Sequence, residues 1–121
     1  CDGKPKMNES YVDLLLHNEK KDKNQTKTFY KILSNKQRTS LIQFEPKTGK
    51  KHQLRIVAKN LGSPIVGDSK YNLNQSNKNE NLKLNAHKLE FKIEGNQFNF
   101  KSSLPKDFTN YMKQKQISFR E

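Results

Sequence analysis

The sequence predicts an α+β domain, a mixed or antiparallel β-sheet with two helices packed against it. Three features predict it. Runs rich in aromatic and β-branched residues recur at 28–33 and 40–45. Leu89, Phe91, Ile93, Phe98 and Phe100 alternate with polar neighbours. Between these groups, Leu54, Val57, Ala58 and Leu61 fall at i, i+3, i+4 and i+7, one apolar stripe of a helix.

Taken in order, residues 1–10 read as an irregular leader. Tyr11 to Leu16 is a short apolar run, long enough for a strand or a single helical turn. A polar loop is expected over 18–27. Thr28 to Leu33 and Ser40 to Glu45 read as antiparallel strands joined by a turn region at 34–39. For the helix, Thr48 is the candidate N-cap, and Gly62 with Pro64 beyond it is the stop. A second polar loop is expected over 72–81. The alternation slips near Lys88, which predicts a bulge. Glu94-Gly95-Asn96-Gln97 carries a hairpin-turn signal. After Leu104-Pro105, a short helix would place Phe108, Tyr111 and Met112 on one side.

The 121 residues fit one domain, and an apolar fraction of 31% allows only a modest core. Four Tyr and seven Phe must supply much of it. The net charge of +12 selects for a polyanionic partner, since binding nucleic acid releases condensed counterions. There is no long apolar run and no strongly amphipathic helix, which argues against a membrane partner. The single Cys excludes an internal disulfide and points to a reducing compartment. The chain opens on Cys1-Asp2-Gly3-Lys4-Pro5 without Met, and is read as a fragment or processed product.

Charge is concentrated in one place. Between Glu45 and Asp68 there is no acid, while Lys47, Lys50, Lys51, Arg55 and Lys59 all fall there. On the predicted helix, His52, Arg55 and Lys59 share the side opposite the apolar stripe, so Arg55 projects from an anchored helix. Asp68 and Asp13 are expected to be structural, Asp68 as a cap in the turn after the helix. Tyr30 and Tyr71 are expected to pack. His17, His52 and His87 lack metal-ligand spacing, so no metal is expected.

Thr48-Gly49-Lys50-Lys51-His52-Gln53-Leu54-Arg55 resembles the T-G-R-x-H-Q-[IL]-R signature of the RluA family of pseudouridine synthases. Leu61-Gly62-Ser63-Pro64-Ile65-Val66-Gly67-Asp68-Ser69-Lys70-Tyr71 is similar to that family's L-G-x-P-I-x-G-D-x-x-Y. Leu84-Asn85-Ala86-His87-Lys88-Leu89-Glu90-Phe91 resembles its L-H-A-x-x-L-x-F, and Leu104-Pro105 its closing apolar-Pro pair. Upstream, Tyr11-Val12-Asp13-Leu14 and Thr28-Phe29-Tyr30 resemble its V-D-L and T-x-Y elements. The chain departs from the pattern at Lys50 and Lys51, where Arg and a small hydroxyl residue are usual. Val57 and Asn85 stand where the family carries His.

The resemblance implies the C-terminal part of a pseudouridine synthase catalytic domain, spanning 1–121. It implies an isomerase that detaches uracil from C1′ of a uridine, rotates it and reattaches it through C5, with ribosomal RNA the foremost substrate. No cofactor is implied. The family's nucleophilic Asp, in H-R-L-D-x-x-T-S-G, has no counterpart here. Arg55 matches the family's Arg that pairs with that Asp, and the chain alone is expected to be inactive, with Arg55 left nothing to hold. A missing N-terminal half, in the same or another chain, would complete it. Lys47, Lys50, Lys51, His52, Gln53 and Lys59 are the candidate RNA-binding residues. The compartment expected is the cytoplasm or an organellar matrix. Two alternatives compete: a non-catalytic basic RNA-binding module, and a remnant of a split or decayed synthase gene.

Overall fold

The computed structural model describes residues 1–17, 23–73, 80–86, 88–93 and 96–117. Three strands form one antiparallel sheet in the order β1 (Glu9–His17), β2 (Lys23–Lys36), β3 (Thr39–Pro46). Helix α1 (Gln53–Asn60) follows and packs against β1 and β2. A hairpin of β4 (Lys88–Ile93) and β5 (Asn96–Lys101) and helix α2 (Lys106–Gln114) complete the chain.

The open choice at 11–16 resolves as strand. Residues 10, 12, 14 and 16 are half-buried, and 9, 11, 13 and 15 are exposed, the two-residue period of a sheet with one covered face. Residues 23–27, expected in a polar loop, belong to β2 instead. Thr26 and Thr28 are buried on its inner face, and the Thr26 hydroxyl donates to the Leu14 carbonyl at 2.8 Å. Cross-strand pairing and a satisfied β-branched residue outweigh the polarity of the segment. Residues 18–22, the rest of that loop, lie outside the described residues, as do 74–79 of the second one.

The turn between β2 and β3 tightens to two residues, Gln37 and Arg38, both with positive φ (51° and 58°). A two-residue hairpin of this kind matches the right-handed twist of its strands. The bulge lies in β2, where the register shifts between Ile32 and Ser34. From Lys88 onward, where the slip was expected, pairing is unbroken. Leu82–Ala86 is not strand, so the change of alternation there marks the approach to β4. Ile93 pairs with Asn96 across the expected hairpin turn, whose Glu94 and Gly95 lie outside the described residues.

Val57 and Ala58 of α1 are fully buried together with Ile65, Val66 and Tyr30, and Leu54 and Leu61 lie half-buried at the stripe's edges. The helix ends as expected. Gly62, at φ 80°, donates to the Lys59 carbonyl, and the Ser63 amide reaches back to Ala58, both at 3.0 Å, a Schellman closure. The N-cap is His52, in the left-handed region at φ 56°, and not Thr48. Thr48 sits four residues too early and bonds instead to Gln53 and Lys27. Helix α2 buries Tyr111 and Met112, with Phe108 half-buried, and leans over an apolar groove against Leu41, Ile42 and Val66.

Gly67 carries the tightest constraint. Its φ is 82°, and a Cβ there would sit 2.1 Å from the Asn81 carbonyl oxygen, whereas the same atom at Gly62 meets nothing within 4 Å. Gly62→Ala is therefore expected to cost only the left-handed penalty, about 1–2 kcal/mol. Gly67→Ala should exceed it measurably, because backbone at 81–82 must move. Urea unfolding of both variants checks this, and equal losses would refute it.

Candidate functional site

The site forms where α1 meets the turn at 65–71. Arg55 Nε donates to Asp68 Oδ2 at 2.9 Å and Nη2 to Oδ1 at 2.6 Å, a two-point pairing across 13 residues of sequence. The Asp68 side chain is fully buried and that of Arg55 is 19% exposed. Asp68 Oδ1 also accepts from the amides of Lys70 (3.0 Å) and Tyr71 (3.1 Å). The cap expected of Asp68 is therefore present, and an ion pair is added to it. The expectation that Arg55 has nothing to hold within this chain is corrected: Asp68 holds it, because Gly67 turns the chain back beneath the helix.

Burial alone would raise the Asp68 carboxyl. The hydrogen bond from Arg55, the two backbone amides and the Arg55 charge outweigh it and hold the group below its ordinary value. Asp68 in turn holds the Arg55 proton more tightly, by hydrogen bond and charge. Among the described residues, Nη1 of Arg55 makes no hydrogen bond.

Gln53, expected to face RNA, is buried, with 3% of its surface exposed. Its Oε1 accepts from Thr48 Oγ1 (2.9 Å) and the Lys50 amide (3.0 Å). Its Nε2 donates to Thr28 Oγ1 (2.9 Å) and the Lys27 carbonyl (3.4 Å). An amide with two donors and two acceptor lone pairs thus has every one occupied, and the residue joins α1 to β2.

Lys47, Lys50, Lys51 and Lys59 are all exposed, Lys47 making a loose pair with Glu45 at 3.7 Å. His52 Nδ1 lies 3.2 Å from the Tyr71 hydroxyl, the rings edge to face at 5.8 Å. Partial burial, then the charges of Arg55, Lys70 and Lys51, lower the His52 pKa against the opposing pull of Asp68. Tyr71 also has the cations of Arg55 (5.3 Å), Lys70 (5.4 Å) and Lys59 (6.0 Å) about its ring. Sequence reasoning missed Lys70 and treated Tyr71 as packing only; the spacing from Asp68 to Tyr71 was the available signal. Tyr30, by contrast, is buried and donates to the Met7 carbonyl. Among the described residues no group of three or more His, Cys, Asp or Glu could hold a metal ion, and no helix is long and apolar enough to cross a membrane. The groove under α2 includes neither Arg55 nor Asp68.

The chain is similar to known proteins over nearly its whole length. The family model described as RNA pseudouridylate synthase matches residues 4–60. Ribosomal large subunit pseudouridine synthase D of Borreliella burgdorferi is 39% identical over 112 residues, 86% of this chain and 34% of that protein. An uncharacterised RNA pseudouridine synthase of Zymomonas mobilis is 34% identical over 90% of this chain and 56% of its own length. Among solved structures, human RNA pseudouridylate synthase domain containing 4 superposes with a TM-score of 0.76 at 20% identity, covering 99% of this chain and 61% of that one. Fold and sequence thus define a chain of the RNA pseudouridylate synthase class. Within that class it belongs with the RluA-type synthases, and it spans between a third and just over half the length of these two curated relatives.

The ion pair generates a prediction with a defined sign. Asp68 has a folded-state pKa below its unfolded value, so its stabilisation is complete above the ordinary carboxylate pKa of 3.8 and is lost as pH falls through the folded value. Asp68→Asn should lose about 3–5 kcal/mol at pH 7, as expected when a buried pair is broken. The deficit against the native chain should shrink below pH 4 in urea-unfolding titrations.

Proposed function

We propose that this chain is the C-terminal portion of an RNA pseudouridine synthase that isomerises uridine in large-subunit ribosomal RNA. In this reading Arg55 lends the outer edge of its guanidinium to a nucleophilic Asp carried by a segment outside these 121 residues. The supporting observation is the half-occupied guanidinium. Nε and Nη2 are anchored on buried Asp68, while Nη1 makes no hydrogen bond among the described residues.

A carboxylate nucleophile near an RNA polyanion and an apolar base pocket tends to become protonated. A guanidinium already fixed on one edge opposes that tendency at a defined place, with little conformational freedom left to lose. The surface lysines 47, 50, 51 and 59 would hold flanking phosphates while the target uridine leaves its stack. No cofactor or metal takes part. Acting on ribosomal RNA, the enzyme would work in the cytoplasm or an organellar matrix.

A second reading, a non-catalytic RNA-binding module, draws on the Arg55–Asp68 pair being satisfied within the chain. One experiment separates the two. The 121-residue chain alone should form no pseudouridine in ribosomal RNA. Mixed with a polypeptide bearing the H-R-L-D-x-x-T-S-G half, it should form it, as read by mass spectrometry of RNA digests. Arg55→Lys, which keeps charge but loses the fork, should lower that activity about 10²-fold or more while leaving the circular-dichroism spectrum intact. RNA binding without chemistry in the mixture would favour the module, and isomerisation by the isolated chain would overturn the proposed division of residues.

A further inference from the structure

Lys59 on α1 and Lys70 on the following turn both reach the ring of Tyr71, at 6.0 and 5.4 Å from its centroid, and Arg55 lies 5.3 Å from the same point. Like charges gathered on one ring repel one another. Among the described residues neither lysine ammonium meets a carboxylate, and the one acid nearby, Asp68, is buried and neutralised by Arg55. Cation–π attraction offsets part of the repulsion; an anion would offset the rest.

The backbone points the same way. His52 is held in the left-handed region (φ 56°, ψ 20°), an uncommon conformation for a residue with a Cβ. That conformation brings its Nδ1 to the Tyr71 hydroxyl. Partial burial and the surrounding cations lower its pKa, which favours the neutral ring. We assign the hydroxyl as donor to Nδ1, which puts the ring proton on Nε2, a further donor beside the two ammoniums.

We infer that Tyr71, His52, Lys59 and Lys70 form a phosphodiester-binding subsite for single-stranded RNA, with Tyr71 as the post that gathers its donors. The inference rests on the RNA-directed reading above and adds Tyr71 and Lys70 to it. The charged and titratable groups acting on His52 are Arg55, Lys70, Lys51, Asp68 and Tyr71. A bound phosphodiester adds a negative charge to this set and raises the His52 pKa.

The test uses the 121-residue chain, a fluorescein-labelled single-stranded uridine-containing RNA and, separately, inorganic phosphate. Removing two phosphate contacts in Lys59→Ala/Lys70→Ala should weaken RNA binding about tenfold and flatten the log–log salt slope by about 1.4, at roughly 0.7 per contact. Tyr71→Leu should weaken binding similarly. Tyr71→Phe keeps the ring and should keep most affinity, and should keep the link between RNA binding and His52 titration, which the phosphodiester charge carries. That titration, followed by NMR of the imidazole, should move upward with RNA in the native chain. An unchanged affinity and slope in the double variant, alongside weakened binding in Lys47→Ala/Lys50→Ala, would overturn the subsite and leave the RNA reading standing. No RNA affinity in the native chain at low salt would overturn both. An equal His52 shift from inorganic phosphate at the same concentration would make this a free-anion site and overturn the assignment to RNA.

Discussion

The buried carboxylate of Asp68 is the constraint on which the site depends. An ionised carboxylate without solvent is costly unless its lone pairs are occupied, and here Arg55 and two backbone amides occupy them. Each partner fixes something else. The amides of Lys70 and Tyr71 define the turn that brings Tyr71 beside His52. The two-point bond to Arg55 sets the distance between α1 and that turn. Gly67 permits the arrangement, because no side chain fits between it and the Asn81 carbonyl.

Helix α1 is thereby held by polar ties on two sides and by apolar contact between them. Gln53 joins its first residue to β2 with a fully used amide, Arg55 joins its middle to the turn, and Val57 and Ala58 fill the core. A helix of eight residues has little intrinsic stability, so these tertiary contacts decide its position. The consequence is electrostatic. With both polar ties internal, the outward positions fall to Lys59 and to the lysines of the preceding loop. A short basic stretch thus becomes a surface of one sign.

Much of this was legible in the sequence and part was not, for identifiable reasons. The stripe at Leu54, Val57, Ala58 and Leu61 and the stop at Gly62 depend on local periodicity and one backbone conformation, and both are visible in a window of ten residues. The strand at 23–27 was hidden because its signal, Thr26 and Thr28 facing inward, lies among Lys, Asn and Gln. The Gln37-Arg38 turn was hidden because neither residue is the Gly or Asn that usually occupies positive φ. Within the site, the prominence of Arg55 came from its motif, but its partner did not. The pairing of Arg55 with Asp68 spans a helix end, a Schellman turn and a glycine, and no single periodicity connects them. Gln53 was misplaced for the same reason: on a helical projection it borders the polar face, and only β2 shows where its amide goes.

The internal pair also changes what Arg55 can contribute. A lone guanidinium would act on a neighbouring carboxylate mainly as an unmatched positive charge. Neutralised by Asp68, Arg55 has much less long-range field to offer, and what remains is the directional donor capacity of Nη1 and the second hydrogen of Nη2. Its value therefore lies in placement rather than in charge. The positive potential around the site then falls largely to the exposed lysines 47, 50, 51, 59 and 70. In the proposed reading, charge that attracts a polyanion and geometry that positions a reacting group are thus carried by different residues.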